Sequence, residues 1–231
     1  MLDHIKNTCR RITPADESVR AAAAAKHNTL TKPPGSLGRL EDLGIRIAAI
    51  TGSLNPRLAR KRIFVVAADH GITAEGVSAY PSEVTHQMVL NFLSGGAAIN
   101  VLGRHGDIEV QVVDAGVDFD FGDTPGLIDR KIMRGTNNFA LGPAMTVAQA
   151  EQSIIAGIGL GEHAAQLDAI NLLGIGEMGI GNTTAASAVT AVLTGRPISQ
   201  VTGRGTGIDD EGLHRKVAAI ARGIEVNRPD P

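Results

Sequence analysis

A carboxylate set among glycines is the strongest chemical signal in this chain. Residues 173–184 read Leu-Gly-Ile-Gly-Glu-Met-Gly-Ile-Gly-Asn-Thr-Thr, with Glu177 near the centre. The apolar run 169–173 just before it is short enough for a buried strand, and residues 183–193 are rich in helix formers. The glycine segment is therefore expected where a strand hands over to a helix N-terminus, whose unpaired N–H groups attract anions. Gly176, Gly179 and Gly181 would let the backbone approach a ligand and adopt positive φ. Asn182, Thr183 and Thr184 can cap the helix or donate hydrogen bonds to phosphate oxygens. Glu177 can balance positive charge developing on a sugar, or serve simply as a helix-start cap.

Three readings of these glycines compete. Gly174-x-Gly176-x-x-Gly179 matches the dinucleotide fingerprint, yet no Asp or Glu occurs over residues 180–208 to hold a ribose. Glu177 inside that loop would also repel a pyrophosphate. A Walker loop fails because Ile180 and Gly181 stand where Lys and Ser or Thr are required. A tight strand-to-helix turn with no ligand stays open. A second glycine segment, Gly203-Arg204-Gly205-Thr206-Gly207, follows a weak strand candidate at 199–202 and brings a cation suited to phosphate.

Two further strand candidates, 63–68 and 108–113, run into Asp69-His70-Gly71 and Asp114-Ala115-Gly116. No metal is expected there, because three possible ligands without a recognised spacing make a poor site, and strand-end capping is the plainer role. His27, His86, His105, His163 and His214 are expected at the surface. No Gly-x-Ser-x-Gly elbow occurs, and Cys9 lies near the terminus, which disfavours a nucleophilic hydrolase.

The elements that must position these groups alternate. Beyond residue 63, strand patterns interleave with helices at 82–93, 146–167, 183–193 and 209–226, and Thr146-x-x-Gln149 forms a capping box. Such alternation implies an α/β fold, a Rossmann-like parallel sheet flanked by helices. Ligands of such sheets bind at the carboxyl ends of the strands, so the three strand-end motifs are expected to share one cleft. A small N-terminal helical element is expected over 1–55, and the α/β nucleotide-binding domain over 56–231. In the first, Thr13 and Pro14 signal a helix start with Asp16 and Glu17 in its opening turn. A second helix at 36–50 carries Leu37, Leu40, Leu43, Ile47 and Ile50 on one face. The stretch between them, Lys32-Pro33-Pro34-Gly35-Ser36-Leu37-Gly38-Arg39-Leu40, is read as a helix connection.

The chain has 231 residues, a formal charge of -2, one Cys and no Trp. That length suits one large domain, or a domain with a small appendage. The near-neutral charge and few aromatics give no sign of a nucleic-acid groove, so a small molecule is the expected partner. A lone cysteine suits a reducing compartment, and no apolar stretch approaches the ~18 residues of a membrane span. The expectation is a cytoplasmic protein with neither nucleic acid nor membrane as partner.

Five motifs stand in order: Lys32 to Leu40 as quoted, Ala68-Asp69-His70-Gly71, Glu75-Gly76-Val77-Ser78-Ala79-Tyr80-Pro81, Gly142-Pro143-Ala144-Met145, and residues 176–184. Together they make the chain resemble the nicotinate-nucleotide:dimethylbenzimidazole phosphoribosyltransferase family over almost its whole length. The resemblance implies a transferase of cobalamin biosynthesis that moves 5-phosphoribose from nicotinate mononucleotide to 5,6-dimethylbenzimidazole or a related base. The products would be α-ribazole 5'-phosphate and nicotinate, formed with inversion at the anomeric carbon. It implies no cofactor and no metal, and a homodimer. Gly176, Gly179, Gly181, Asn182, Thr183, Gly203, Arg204, Gly205 and Lys216 would hold the nucleotide and its phosphate. Glu177 would act as a supporting carboxylate, and Asp69, Tyr80, Gln87 and Met88 would form the base pocket. Members of the family continue further, and the resemblance puts their general base, a glutamate, beyond Pro231. The chain is therefore expected to be a fragment or truncation, with strands missing from its sheet and apolar surface exposed. A nucleotide-binding module without turnover and an NAD-linked oxidoreductase are the alternatives.

Overall fold

In the helices that precede the first strand, the buried residues are alanines. The computed structural model describes residues 1–230, and its chain divides into two compact units, Leu2–Ala59 and the residues from Arg60 onward. The first unit contains α1 (Leu2–Arg11), α2 (Glu17–Thr29) and α3 (Arg39–Thr51). The helix expected to start at Thr13 starts later. Asp16 holds an extended backbone, and its carboxylate accepts from the N–H groups of Ser18 (2.8 Å) and Val19 (3.1 Å). Asp caps as well as Thr and stands next to the alanine run, so the nearer cap wins. Ala23 of α2 and Ala48 and Ala49 of α3 are buried, while Leu40, Leu43 and Ile50 remain exposed. Between the two helices, Lys32 Nζ meets Glu41 Oε1 at 2.7 Å. That hydrogen bond, with a second from the Leu37 N–H, holds the Glu41 carboxyl below its usual range.

The second unit is the expected α/β fold. Its sheet is fully parallel in the order β3-β2-β1-β4, built from β1 (Lys61–Ala68), β2 (Glu109–Gly116), β3 (Leu127–Asp129) and β4 (Leu172–Met178). Alternate residues of β1 serve opposite layers, as the two-residue period of a strand requires. Ala67 packs with Val112 and with Val89 of α4 (Glu83–Leu93). Phe64 packs on the other face with Val113 and with Ala164 of α6 (Val147–Gln166), after α5 (Ala98–Gly106) has led into β2. The capping box at α6 forms as expected: Thr146 Oγ1 accepts from Gln149 N (3.2 Å), and Gln149 Oε1 from Thr146 N (2.8 Å). The chain ends with α7 (Asn182–Thr194), α8 (Ile198–Val201) and α9 (Asp210–Asn227).

Two local expectations are corrected. Residues 199–202 fall in α8 and its C-terminal cap rather than in a strand, because Pro197 presets the helix start and Thr202 Oγ1 bonds back to the Ile198 carbonyl at 2.7 Å. The strand expected at 169–173 shifts to Leu172–Met178, so Gly174 and Gly176 are strand residues and not loop. Gly174 lies over Ile63, and a Cβ there would come within 2.8 Å of Ile63 Cγ1. A glycine inside a strand often marks such a close approach. Among the described residues β4 is an edge strand, and Ile175 is 84% exposed. No helix of the described residues is long and apolar enough to cross a membrane.

Candidate functional site

The strand order reverses between β1 and β4, which lie side by side while β1 connects away toward β2. Open α/β sheets place ligands at the carboxyl ends of strands at such a switch point. Here β1 runs into Asp69-His70-Gly71 and a 3₁₀ turn (Gly71–Glu75), while β4 runs into Gly179-Ile180-Gly181 and then α7. The second turn is tightly fixed. The Ile180 N–H donates to the buried Thr85 Oγ1 of α4 at 3.1 Å, and the Asn182 N–H donates to the Gly179 carbonyl at 3.0 Å. Gly181 has φ +92°, and a Cβ on Gly179 would lie 2.3 Å from the Ala68 carbonyl oxygen. Side chains are therefore excluded at both positions.

A cleft of about 170 Å³ opens over this turn, lined by Ser78, Glu177, Gly179, Asn182, Thr183 and Arg204 among others. Behind its wall Lys216 of α9 is 1% exposed, and its Nζ donates to Thr183 Oγ1 at 2.7 Å and to the Gly203 carbonyl at 3.1 Å. Burial lowers the Lys216 pKa, and neither of these partners carries a charge. A buried ammonium held by neutral groups favours an anion nearby. Thr183, already accepting from Lys216, has its own hydroxyl proton to donate toward the cleft. Arg204 is differently placed. It donates to the Ile208 carbonyl at 3.0 Å and to the Asp210 carboxylate, and this pairing holds the Asp210 carboxyl below its usual range.

A family model described as phosphoribosyltransferase matches residues 12–231. The chain belongs to this family. Among curated proteins it is 55% identical over 227 residues to the nicotinate-nucleotide–dimethylbenzimidazole phosphoribosyltransferase of Geobacter metallireducens, covering 98% of this chain and 64% of that one. It is 54% identical over 228 residues to the enzyme of the same name from Roseiflexus sp. strain RS-1, with the same coverage. Its structure is similar to the crystal structure of CobT from Thermus thermophilus, with TM-score 0.88 and 51% identity over 93% of this chain and 63% of that one. The chain thus spans about 64% of the length of these curated relatives.

In this member of the phosphoribosyltransferase family, the residues expected to hold a nucleotide are brought together only in part. Glu177, Gly179, Gly181, Asn182, Thr183 and Arg204 line one cleft, and Lys216 reaches it through Thr183. Gly205, at φ +60°, packs beside that pair, where a Cβ would lie 2.8 Å from Thr183 Oγ1, and Gly203 supplies its carbonyl to Lys216. Gly176 is the exception, paired with Val65 inside the sheet. The helix cap also differs from expectation. Gly181 occupies the N-cap of α7, where no side chain bonds the first turn, and Thr184 is fully buried.

The four base-pocket candidates differ in placement. Asp69 is buried, accepts from the Asp118 N–H at 2.8 Å, and lines a second cleft of about 270 Å³ with His70, His86 and Phe119. Tyr80, Gln87 and Met88 line neither cleft. On α4 the inward positions are Thr85 and Val89, one helical turn apart, which leaves Gln87 on the solvent side. His86, expected at the surface, stacks on Phe119 with ring centroids 4.4 Å apart. Asp114 caps the end of β2, accepting from the N–H groups of Gly116 and Val117, and pairs with Lys131 at 3.0 Å. Among the described residues no three His, Cys, Asp or Glu side chains gather in a metal-holding cluster.

One residue at the site escaped the sequence reading, and another, noted there only as part of a strand-end motif, has a specific neighbour. Thr85 anchors the glycine turn from a neighbouring helix, and nothing local in the sequence signals that. His70 lies against Glu177, with Nε2 and Oε1 3.8 Å apart. Its place after a strand, beside the buried Asp69, was the available signal.

Proposed function

We propose that the cleft between β1 and β4 holds nicotinate mononucleotide, and that the chain serves transfer of its 5-phosphoribosyl group to 5,6-dimethylbenzimidazole or a related base. The observation that carries the reading is Lys216, a buried ammonium with neutral partners, set behind Thr183 at the N-terminus of α7. A phosphate in front of that helix start would meet oriented N–H groups, the Thr183 hydroxyl and a desolvated positive charge. Arg204 would join once its share in Asp210 is relaxed. The ribose would then lie beside Glu177.

The chemistry suits these groups. In nicotinate mononucleotide the glycosidic nitrogen is quaternised, so breaking the C1'–N bond returns its electron pair to the ring and leaves positive charge on C1'. Glu177, whose side chain is 41% exposed, offers a carboxylate to that charge. A benzimidazole nitrogen attacking the opposite face of C1' inverts the anomeric centre, and the benzimidazolium formed releases its N–H proton to a base. Asp69, Tyr80, Gln87 and Met88 belong to the proposal as the base side of the site. Support there is confined to Asp69, which faces the second cleft. A homodimer is part of the same reading. The exposed Leu40, Leu43 and Ile50 of α3 are consistent with it, and sedimentation velocity tests it.

The experiment is incubation of the purified chain with nicotinate mononucleotide and dimethylbenzimidazole, followed by liquid chromatography and mass spectrometry for α-ribazole 5'-phosphate. Product that disappears in Glu177→Gln supports the full reading. Binding of the nucleotide without product restricts this chain to the nucleotide half of the site. A folded chain that neither binds the nucleotide nor forms product contradicts the proposal.

A further inference from the structure

We propose that His70 is a positioning residue for the Glu177 carboxylate, donating from Nε2 to Oε1 when a nucleotide fills the cleft; the proposal rests on the functional reading above. The backbone of His70 is pinned on both sides. Its carbonyl accepts from Thr73 N (3.1 Å) and Thr73 Oγ1 (2.9 Å), the next N–H donates to the Thr136 carbonyl (3.1 Å), and His70 itself forms a bridge with Thr136. The ring therefore has a fixed origin. Its side chain is only 13% exposed, and Nε2 is fully enclosed without a hydrogen-bond partner. Enclosed polar atoms are nearly always paired in folded proteins, so an orphan marks a partner that arrives in another state.

The acid oxygen that faces it is Glu177 Oε1 at 3.8 Å, too long for a hydrogen bond and within reach of a small side-chain adjustment. The approach is built into the sheet and the turn. Glu177 stands opposite Val66 in the β1–β4 register, and residue 179 is a glycine whose Cβ would lie 2.9 Å from His70 Nε2 and 2.5 Å from Glu177 Oε1. A side chain at 179 would drive the two groups apart. The other ionisable groups around the imidazole are Asp69 beside it, Glu83 and His86 on α4, and Asp118 and Arg134, all lining the second cleft. Glu177 instead lines the first cleft, so the approach of His70 to Glu177 lies between the two. With Nε2–H on Oε1, the carboxylate is held in one orientation and Oε2 is left for the sugar.

The test uses this chain, with nicotinate mononucleotide as the probe and two readouts. Imidazole ¹⁵N NMR reports which ring nitrogen of His70 carries the proton and whether that proton is bonded. The expected result is an Nε2–H tautomer whose signal moves on nucleotide binding, and whose bonded signature is absent in Glu177→Ala, which removes the acceptor. Calorimetry reports affinity: His70→Phe, which keeps a ring but no donor, should bind about tenfold more weakly, and His70→Gln, which keeps an N–H donor, should recover most of that loss. A His70 signal indifferent to Glu177→Ala, or a His70→Phe chain that binds like the parent, overturns the positioning role while leaving the functional reading standing. A parent chain with no affinity for nicotinate mononucleotide removes the functional reading, and the positioning role with it.

Discussion

Replacing Lys216 by Met should weaken affinity for the nucleotide while leaving stability nearly unchanged. The Lys216 side chain is buried to 1% exposure, its Nζ is held by one hydroxyl and one carbonyl, and burial is the cause of its lowered pKa. Met keeps most of the aliphatic stem and removes the charge. Substituting buried ionic groups by well-packed apolar ones is typically neutral or stabilising, by up to about 4 kcal/mol. Against that stand two hydrogen bonds, each worth about 0.5–1.5 kcal/mol. At the middle of each range the two cancel, so stability should change by less than about 1 kcal/mol and the melting temperature by less than about 4 °C. Affinity for nicotinate mononucleotide should fall by about ten- to hundredfold, the share of one charge-assisted hydrogen bond. The pH dependence has a definite sign. The folded pKa lies below the ordinary value of 10.5, so the unfolded chain binds more protons in the interval between the two. Stability should therefore rise with pH across that interval, and the rise should vanish in Lys216→Met. Calorimetric melts and nucleotide titrations of both chains measure these quantities. A melting temperature lowered by more than about 5 °C, or an unchanged affinity, would refute the reasoning.

Other substitutions probe separate parts of the molecule. Thr146→Ala removes the side-chain cap of α6 and should cost about 1 kcal/mol, a drop of roughly 2–4 °C in the melting temperature by calorimetry. Gly181→Ala places a Cβ at φ +92° and 2.9 Å from Thr73 Cγ2. It should destabilise by more than about 1 kcal/mol and weaken nucleotide binding, read from melts and titrations on the same sample. Hydrogen bonds from Asn138 and then Arg222 hold the Glu75 carboxyl below its ordinary value of 4.5. That contribution is present above the ordinary value and lost as pH falls through the folded one, so Glu75→Gln should flatten the acid limb of a stability profile below about pH 5.

Much of the fold was legible in the sequence because strand and helix periods differ so clearly. The runs at 63–68 and 108–113 lie within or against β1 and β2, and Thr146 with Gln149 marked the start of α6. What failed had tertiary causes. Residues 174–178 looked like the start of a loop because glycines disfavour strands, yet Gly174 is in the sheet for its fit over Ile63. Asp16 was weighed as a first-turn acid when it is the cap. At the site, Glu177, Gly179, Gly181, Asn182 and Thr183 were legible because they are adjacent in sequence. Thr85, the approach of His70 to Glu177 and the burial of Lys216 depend on elements far apart in the chain, and no local pattern carries that information.

The most direct measurement is a crystal structure of this chain with nicotinate mononucleotide. The expected map has the phosphate at the Gly179–Gly181 turn, within hydrogen-bond reach of Thr183 Oγ1 and close to Lys216, with the ribose beside Glu177. A nucleotide seated in the cleft of Asp69 and His86 instead, or with its phosphate turned away from Thr183 and Lys216, would contradict the placement of the site at the junction of β1 and β4.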